Sequence, residues 1–189
     1  MESNLYLGLV HYPIYGKRRE VVATAVTNFD IHDIARCAKT YGVRGFFIIT
    51  PLESQIQITE RIIRHWAEGP GATYNPTRKE SLSLVRVCRT IDEAGQQISE
   101  DWNRRVTKIA TGASHHPKGI GFGALRKLLE DQSTPFLILF GTGWGLTQEV
   151  KDSCDYVLAP IEGKGYNHLS VRSAAAIILD RLLGERADD

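Results

Sequence analysis

The chain has 189 residues, of which 42% are hydrophobic, and a formal net charge of +1. This length and apolar content suffice to bury the core of one domain, which we expect to span residues 1–189. The near-neutral charge argues against a protein whose whole surface binds a polyanion, but it leaves room for a local basic patch.

Short apolar runs, typical of strands, alternate with amphipathic segments, typical of helices, along almost the whole chain. In chain order they predict strand Leu5–His11, strand Val21–Thr27, helix Ile31–Tyr41, strand Gly45–Thr50, helix Gln55–Glu68, strand Leu84–Cys88, helix Ile91–Asn103, strand Thr107–Thr111, helix Gly121–Asp131, strand Phe136–Phe140, helix Leu146–Ser153, strand Tyr156–Pro160 and helix Ser170–Leu183. Because each crossover must return over the sheet before the next strand can pair, this alternation predicts an α/β fold with a mainly parallel sheet and helices on both faces.

Two local features complete this prediction. Asp30 directly precedes the first helical pattern, so it is the expected N-cap of a helix that begins at Ile31. Pro70–Ser83 lacks a period and contains Gly-Pro-Gly and Asn-Pro-Thr, which predicts a surface excursion without regular structure.

Cysteine usage and the N-terminal sequence bear on location. Cys37, Cys88 and Cys154 lie far apart, without the paired spacing of a disulfide framework or a zinc site. No charged segment precedes an apolar run at the N-terminus, and no apolar run reaches the roughly 18 residues that a membrane span needs. We therefore expect a soluble cytoplasmic protein with reduced thiols and no membrane partner.

Two glycine-rich turns in the last third of the chain are candidates for a ligand site. One is Gly141–Gly145, after a buried strand, and the other is Glu162–Ser170, which leads into a small, apolar helix. Glycine tolerates positive φ and leaves no Cβ in the way, so a strand, glycine turn and helix together present free N–H groups to a small molecule.

Several familiar sites are absent. The stretch Leu5–Gly16 does not supply the Gly-x-Gly-x-x-Gly that a dinucleotide fold places after its first strand, and neither a P-loop nor a Gly-x-Ser-x-Gly elbow occurs. His115 and His116 are adjacent, so they would point apart in extended chain, and no nearby carboxylate or cysteine completes a metal set. We expect no metal site.

Five segments resemble motifs of the SPOUT superfamily of knotted RNA methyltransferases. Thr27–Gly42 is similar to the first motif, where an asparagine precedes a helix and an arginine lies one or two turns in. Ile109–Ser114 is similar to the strand-end loop that precedes the second motif of the superfamily. The second and third motifs are resembled by Phe140–Leu146, Leu158–Ile161 and Tyr166–Ala175. The resemblance covers Leu5–Leu183 and is closest to a bacterial subgroup that occurs alone or fused to tRNA guanine-N1 methyltransferase.

This resemblance implies a C-terminal deep trefoil knot, with S-adenosylmethionine bound in the knot as cofactor. It further implies a homodimer and an RNA substrate, tRNA or rRNA, methylated at ribose 2′-O or at a base nitrogen. The cofactor contacts that it implies are Thr111, Gly112, Phe140, Gly141, Thr142, Gly143, Leu158, Pro160, Ile161, Tyr166, Asn167, Leu169, Ser170 and Ser173.

The resemblance also suggests the catalytic residues. Arg36 is the candidate to orient a ribose or phosphate, as the first-motif arginine does in ribose methyltransferases of the superfamily, with Asn28, His32 and Asp33 in support. His32 and Arg36 are four residues apart and share a helix face, whereas Asp33 is turned away by about 100°.

The sequence departs from the family pattern at two positions, and it is also compatible with two other functions. His168 intrudes in the third motif, and Arg172 adds a charge to the first turn of the last helix. One other function is a cofactor-binding module that assists a partner methyltransferase without catalysis of its own. The other is a flavodoxin-like nucleotide-binding protein, which would have an unknotted sheet.

Overall fold

A computed structural model describes residues 3–185 of the chain. The strands are β1 (Leu5–Val10), β2 (Ile14–Tyr15), β3 (Val21–Val22), β4 (Gly45–Ile49), β5 (Val85–Cys88), β6 (Thr107–Ala110), β7 (Gly119–Ile120), β8 (Phe136–Gly141) and β9 (Tyr156–Leu158). The helices are α1 (Asn28–Thr40), α2 (Glu53–Ala67), α3 (Pro70–Tyr74), α4 (Pro76–Leu82), α5 (Ile91–Trp102), α6 (Phe122–Leu129), α7 (Gln148–Ser153) and α8 (Val171–Leu183). Within residues 3–185, no helix has the length and apolar character needed to cross a membrane.

A parallel sheet forms the centre of the fold. Its seven strands lie in the order β5-β4-β1-β8-β6-β9-β7, and each neighbouring pair is parallel. The central strands β1 and β8 are almost entirely buried and apolar, as strands covered on both faces are. The carboxyl ends of all seven strands therefore lie along one edge of the sheet.

Helices cover both faces of this sheet. Alternate residues of β1 point to opposite sides, so that Leu7 lies in one apolar cluster with helices α1, α4, α6 and α8, while Tyr6 lies in the other with α5 and α7. The predicted α/β class, with a mainly parallel sheet and two helical layers, is confirmed.

The predicted strand Val21–Thr27 is wrong. Only Val21–Val22 is extended and paired, and it forms a two-stranded antiparallel ribbon with β2, outside the main sheet. Residues 23–27 are irregular and belong to no strand, and the Thr24 amide donates instead to the His11 carbonyl at 2.9 Å. The short strands β2 and β7 have two residues each, too few to show a period.

The helix boundaries give two further corrections. Residues 70–83 contain α3 and α4, each with proline at its start, and the Asn75 side chain caps α4 by accepting from the Arg78 amide at 3.0 Å. Asp30 does not cap α1, which begins at Asn28. Thr27 is the cap, and its hydroxyl oxygen accepts from the Asp30 amide at 3.2 Å.

Candidate cofactor and active site

Three loops meet at the carboxyl edge of the sheet. They are residues 111–118 after β6, 142–147 after β8 and 159–170 after β9, and these three strands are neighbours in the sheet. A side-chain hydrogen bond joins two of the loops, since the Asn167 amide donates to the Ala113 carbonyl at 3.1 Å. In open α/β sheets, such an edge is where ligands bind.

The turn 141–147, which we call the glycine turn, is fixed by its own backbone. Thr142 is buried, and both its amide and its hydroxyl donate to the Val10 carbonyl, at 3.2 and 3.0 Å. A Cβ on Gly141 would collide with the amide nitrogen of Leu146, and Gly143 has a φ of +57°. Glycine is therefore required at both positions by the turn itself.

The ribbon of β2 and β3 covers the glycine turn. The Tyr15 amide donates to the Gly145 carbonyl at 2.9 Å, and the Trp144 amide donates to the Tyr15 carbonyl at 3.0 Å. The Tyr15 hydroxyl also accepts from the Gln148 amide at 3.1 Å, at the start of α7. Sequence analysis did not assign Tyr15 to the site, because the pairing of β2 with the turn joins segments about 130 residues apart.

Behind the turn, a buried polar chain runs from Thr142 to His11. The Thr142 hydroxyl proton goes to Val10, so the Thr24 hydroxyl, 2.6 Å away, donates to Thr142, and His11 Nδ1–H donates to Thr24 at 3.0 Å. Burial lowers the pKa of His11 to about 4, against the smaller opposing effect of Asp30, so the ring is neutral. Its Nε2 lone pair has no partner among residues 3–185.

The other expected cofactor residues lie on the same edge of the sheet, some with buried and some with exposed side chains. The side chains of Phe140, Leu158 and Pro160 are buried, so only their backbone groups are available to a ligand. Tyr166 and Leu169 are exposed, at 72% and 43%.

The remaining predicted contacts are held by local hydrogen bonds. Ser170 caps α8 by accepting from the Ser173 amide at 3.3 Å, and the two hydroxyl oxygens lie 2.9 Å apart. The Thr111 hydroxyl donates to the Leu139 carbonyl at 2.9 Å, whereas Gly112 and Ile161 are partly buried.

Each of the three loops contains a glycine that no other backbone covers. A Cβ added at Gly145, which has a φ of +94°, would have no atom within 4 Å, and the same holds at Gly165 with a φ of +84°. At Gly112 the added Cβ would meet only the end of the Lys151 side chain, 3.2 Å from Nζ. One glycine in each loop is therefore not covered by other backbone, and backbone amide and carbonyl groups of this kind suit a bent adenosyl ligand.

Arg172 joins α8 to the first turn of α1. Its guanidinium donates to Asp30 at 3.0 Å, and its Nε lies 3.5 Å from an Asp33 carboxylate oxygen. It also lies over the ring of Phe29, 5.7 Å from the centroid. The unusual charge in the third motif is thus matched by two acidic residues of the first.

The candidate catalytic residues lie on α1, in different surroundings. His32 packs edge-on against Trp66, with ring centroids 5.5 Å apart, and burial together with the nearby Arg78 lowers its pKa. Arg36 is exposed and makes no ion pair within residues 3–185. Asn28 is also exposed, at the start of the helix. On the helix face that His32 and Arg36 were predicted to share, the His32 side chain is thus packed, whereas the Arg36 side chain is exposed.

The two adjacent histidines pair separately. His115 lies 3.1 Å from Glu162, and His116 lies 3.2 Å from Asp152. In the part of the chain that the structure describes, no three histidine, cysteine or acidic side chains cluster as metal ligands would.

A family model decides which family this architecture represents. The model described as SAM-dependent RNA methyltransferase matches residues 4–184. The chain belongs to this family. The match includes the glycine turn and the loops beside it, and it confirms the resemblance to the SPOUT RNA methyltransferases, with S-adenosylmethionine as cofactor.

Two relatives differ in how much of their length is matched. A protein of Oleidesulfovibrio alaskensis named tRNA (guanine-N(1)-)-methyltransferase is 47% identical over 183 residues, 96% of this chain but 42% of its own length. An uncharacterized protein of Aquifex aeolicus is 37% identical over 190 residues, 100% of this chain and 93% of its own length. The chain thus spans less than half of the first relative and nearly all of the second.

Solved structures support the fold. A probable methylase family protein from Haemophilus influenzae gives a TM-score of 0.64 at 19% identity, covering 96% of this chain and 66% of its own. The SpoU methyltransferase AviRb from Streptomyces viridochromogenes, in complex with AdoMet, gives 0.60 at 16% identity, covering 96% and 57%. The chain therefore shares its fold with these two proteins.

Proposed function

We propose that the three loops at the carboxyl edge bind S-adenosylmethionine within a deep trefoil knot, and that the chain transfers the methyl group to the ribose 2′-oxygen of a tRNA. The observation that carries the proposal is the meeting of three glycine-containing loops at one sheet edge, two of them joined by the hydrogen bond from Asn167 to the Ala113 carbonyl. The cofactor supplies an electrophilic methyl group when it is bound. The protein must hold it and place the acceptor oxygen in line with it.

The cofactor contacts divide by the groups they offer. Backbone amides and carbonyls are offered by Phe140, Gly141, Gly143, Leu158, Pro160 and Ile161. Side chains and open backbone are offered by Thr111, Gly112, Thr142, Tyr166, Asn167, Leu169, Ser170 and Ser173. Thr142 contributes mainly by fixing the turn, since its hydroxyl is already bonded to the Val10 carbonyl.

The charges around α1 favour a hydroxyl acceptor over a base nitrogen. A base nitrogen that loses a proton needs a free carboxylate or imidazole as base. Here Asp30 and Asp33 are paired with Arg172, and His32 is packed against Trp66. Among residues 3–185 Arg36 has no ion-pair partner, and a cation beside a ribose hydroxyl stabilises the oxyanion that forms as the proton leaves. We assign Arg36 this role, with Asn28, about two turns away at the start of α1, also on the acceptor side.

Nucleoside analysis tests the acceptor. The protein is incubated with methyl-labelled S-adenosylmethionine and unfractionated bacterial tRNA, and the tRNA is digested to nucleosides and separated by mass. We expect the label in a ribose-methylated nucleoside, with turnover lost in Arg36→Ala. Label on a base would contradict the ribose assignment while leaving the methyltransferase intact.

A second function is favoured by the length of the relatives. The chain spans 42% of the Oleidesulfovibrio protein, so the reaction in that protein's name can reside in its remaining part. This chain would then be a module that binds the cofactor and assists a partner enzyme. Such a module would bind S-adenosylhomocysteine but release none with any RNA, whereas the catalytic proposal requires turnover. The Aquifex relative favours autonomy, because this unit accounts for 93% of that protein.

A homodimer is part of the same proposal. Phe29 and Trp144 are 70% and 59% exposed at the carboxyl edge, together with Tyr166, and apolar side chains of this size are common in subunit interfaces. Light scattering should give twice the monomer mass, and a monomer at micromolar concentration would contradict it. The cytoplasmic location stays a prediction.

A further inference from the structure

One lysine at the site differs from its neighbours. Lys151 of α7 is partly buried, and its side chain lies across Gly112, whose added Cβ would be 3.2 Å from Nζ and 3.5 Å from Cε. Its ammonium therefore lies against the loop 111–118, which the proposed function assigns to the cofactor site. The apolar stem of the Lys151 side chain covers the backbone at Gly112 and carries the ammonium charge to the edge of the loop 111–118.

Nearby lysines have partners, and Lys151 has none. The Lys118 ammonium donates to the carbonyls of Asp152 and Cys154, the latter at 3.1 Å, and that of Lys108 lies 3.2 Å from Asp92. Within residues 3–185, no acceptor lies within hydrogen-bond or ion-pair distance of Lys151 Nζ. Burial and, to a smaller extent, the nearby Arg19 lower the pKa of Lys151, against a still smaller opposing effect of Tyr15.

The second cation comes from the ribbon. Arg19, at a φ of 66°, lies over the ring of Tyr15 with 4.5 Å between its guanidinium carbon and the centroid. Tyr15 is itself bonded to Gly145 and Gln148, so Arg19 is positioned beside the glycine turn. Lys151 and Arg19 therefore approach the same margin of the site from α7 and from the ribbon.

We propose that Lys151 and Arg19 form a binding site for an oxyanion at the margin of the cofactor site. The proposal rests on the proposed function for its ligand. An anion between two cations, one of them partly desolvated, gains charge-assisted hydrogen bonds and relieves their mutual repulsion. Two groups carry this chemistry, the carboxylate of the cofactor's methionine half and a phosphate of the acceptor RNA.

Calorimetry tests whether the ligand is the carboxylate of the cofactor. S-adenosylhomocysteine and 5′-methylthioadenosine, which lacks the amino-acid half, are titrated into wild type, Lys151→Met and the control Lys127→Met. Methionine keeps the packing on Gly112, and Lys127 is exposed on α6. If the carboxylate is the ligand, Lys151→Met loses about tenfold in affinity for S-adenosylhomocysteine and nothing for methylthioadenosine, since a charged hydrogen bond contributes on that order. The control should match wild type for both.

Filter binding of bacterial tRNA at several salt concentrations tests whether the ligand is a phosphate of the RNA. If a phosphate is the ligand, Lys151→Met and Arg19→Asn leave the cofactor titrations unchanged but weaken tRNA binding, with a salt slope reduced by about one per lost contact. Asparagine suits the positive φ at position 19. Variants equal to wild type in both experiments would overturn the anion site. A wild type that binds no S-adenosylhomocysteine would instead overturn the proposed function, while the tRNA measurement still tests the anion site.

Discussion

The glycine turn 141–147 and the loop 159–170 lie side by side but are held very differently. In the turn, Thr142, Leu146 and Thr147 are buried, and backbone bonds tie it to Val10 and Tyr15. In the loop, residues 162–166 and 168–170 are exposed. One wall of the candidate site is therefore held by buried side chains and backbone bonds, whereas the other has fewer such restraints, and we expect a ligand to order it further.

This difference assigns different tasks to the two regions. A fixed turn presents its amides at no further entropic cost, which favours affinity and orientation. A weakly held loop can open to admit the cofactor and close over it, at some cost in affinity. Substitutions in the turn should therefore act on the whole site, and substitutions in the loop should act locally.

Gly141→Val should have the largest effect. The added Cβ collides with the Leu146 backbone, so the turn must distort and the amides it presents are misplaced. We expect affinity for S-adenosylmethionine to fall by a factor of about 100 or more, measured by calorimetry on protein whose circular dichroism is unchanged. Gly123→Ala on α6, where a Cβ meets no atom within 4 Å, is the matched control. Normal binding by the valine variant would separate the turn from the site.

Acid should weaken the support behind the turn. Folding lowers the pKa of His11 from 6.5 to about 4, so the unfolded chain binds more protons between these values. Stability is full above pH 6.5 and falls towards pH 4, by about 3 kcal/mol from this residue. Denaturant unfolding across this range should show a shallower loss in His11→Asn, which retains the contributions of His32 and the carboxylates. Equal slopes would contradict the buried neutral ring.

Arg36→Ala should separate chemistry from binding. Arg36 is exposed and makes no ion pair within residues 3–185, so affinity for S-adenosylhomocysteine should match wild type, while kcat on tRNA falls by about 100-fold because the oxyanion loses its cation. Arg36→Lys should restore part of the rate. Equal losses in cofactor affinity and kcat would indicate a structural role for Arg36 instead.

Asn167→Ala should have the smallest effect of the four. It removes the hydrogen bond to the Ala113 carbonyl, and hence the link between the loop 159–170 and the loop 111–118. A neutral bond of this kind contributes about 1 kcal/mol, which predicts about a fivefold loss of S-adenosylhomocysteine affinity. The melting temperature should stay within a degree or two. A loss as large as that of Gly141→Val would mean that both walls are equally fixed.

The sequence predicted those parts of the site that depend on local pattern. Strands β1 and β8 are continuous apolar runs, and the glycine turn follows directly from its composition. Ser170 was recognised as the residue at which the last helix begins, and it is the N-cap of α8. In each case a stretch of only a few residues determines the local structure.

What the sequence could not predict joins distant segments. Arg172 and Asp30 are 142 positions apart, and Thr24 and Thr142 are 118 apart, so their pairing depends on the topology of the sheet. The ribbon was misread because Val21 and Val22 continue into an apolar stretch that looks like one strand. Helices α3 and α4 were missed because they are too short for a period, although Pro70 and Pro76 marked their starts.

Hydrogen exchange with and without S-adenosylhomocysteine tests the central assignment most directly. Ligand should slow exchange in the three loops, 111–118, 142–147 and 159–170, with the largest gain in 159–170 because that loop is the least protected beforehand. The amides of α2 and α5, which follow strands β4 and β5 and not the strands that carry the three loops, should not change. Protection confined to other segments, or none at saturating ligand, would contradict a cofactor site at this edge of the sheet.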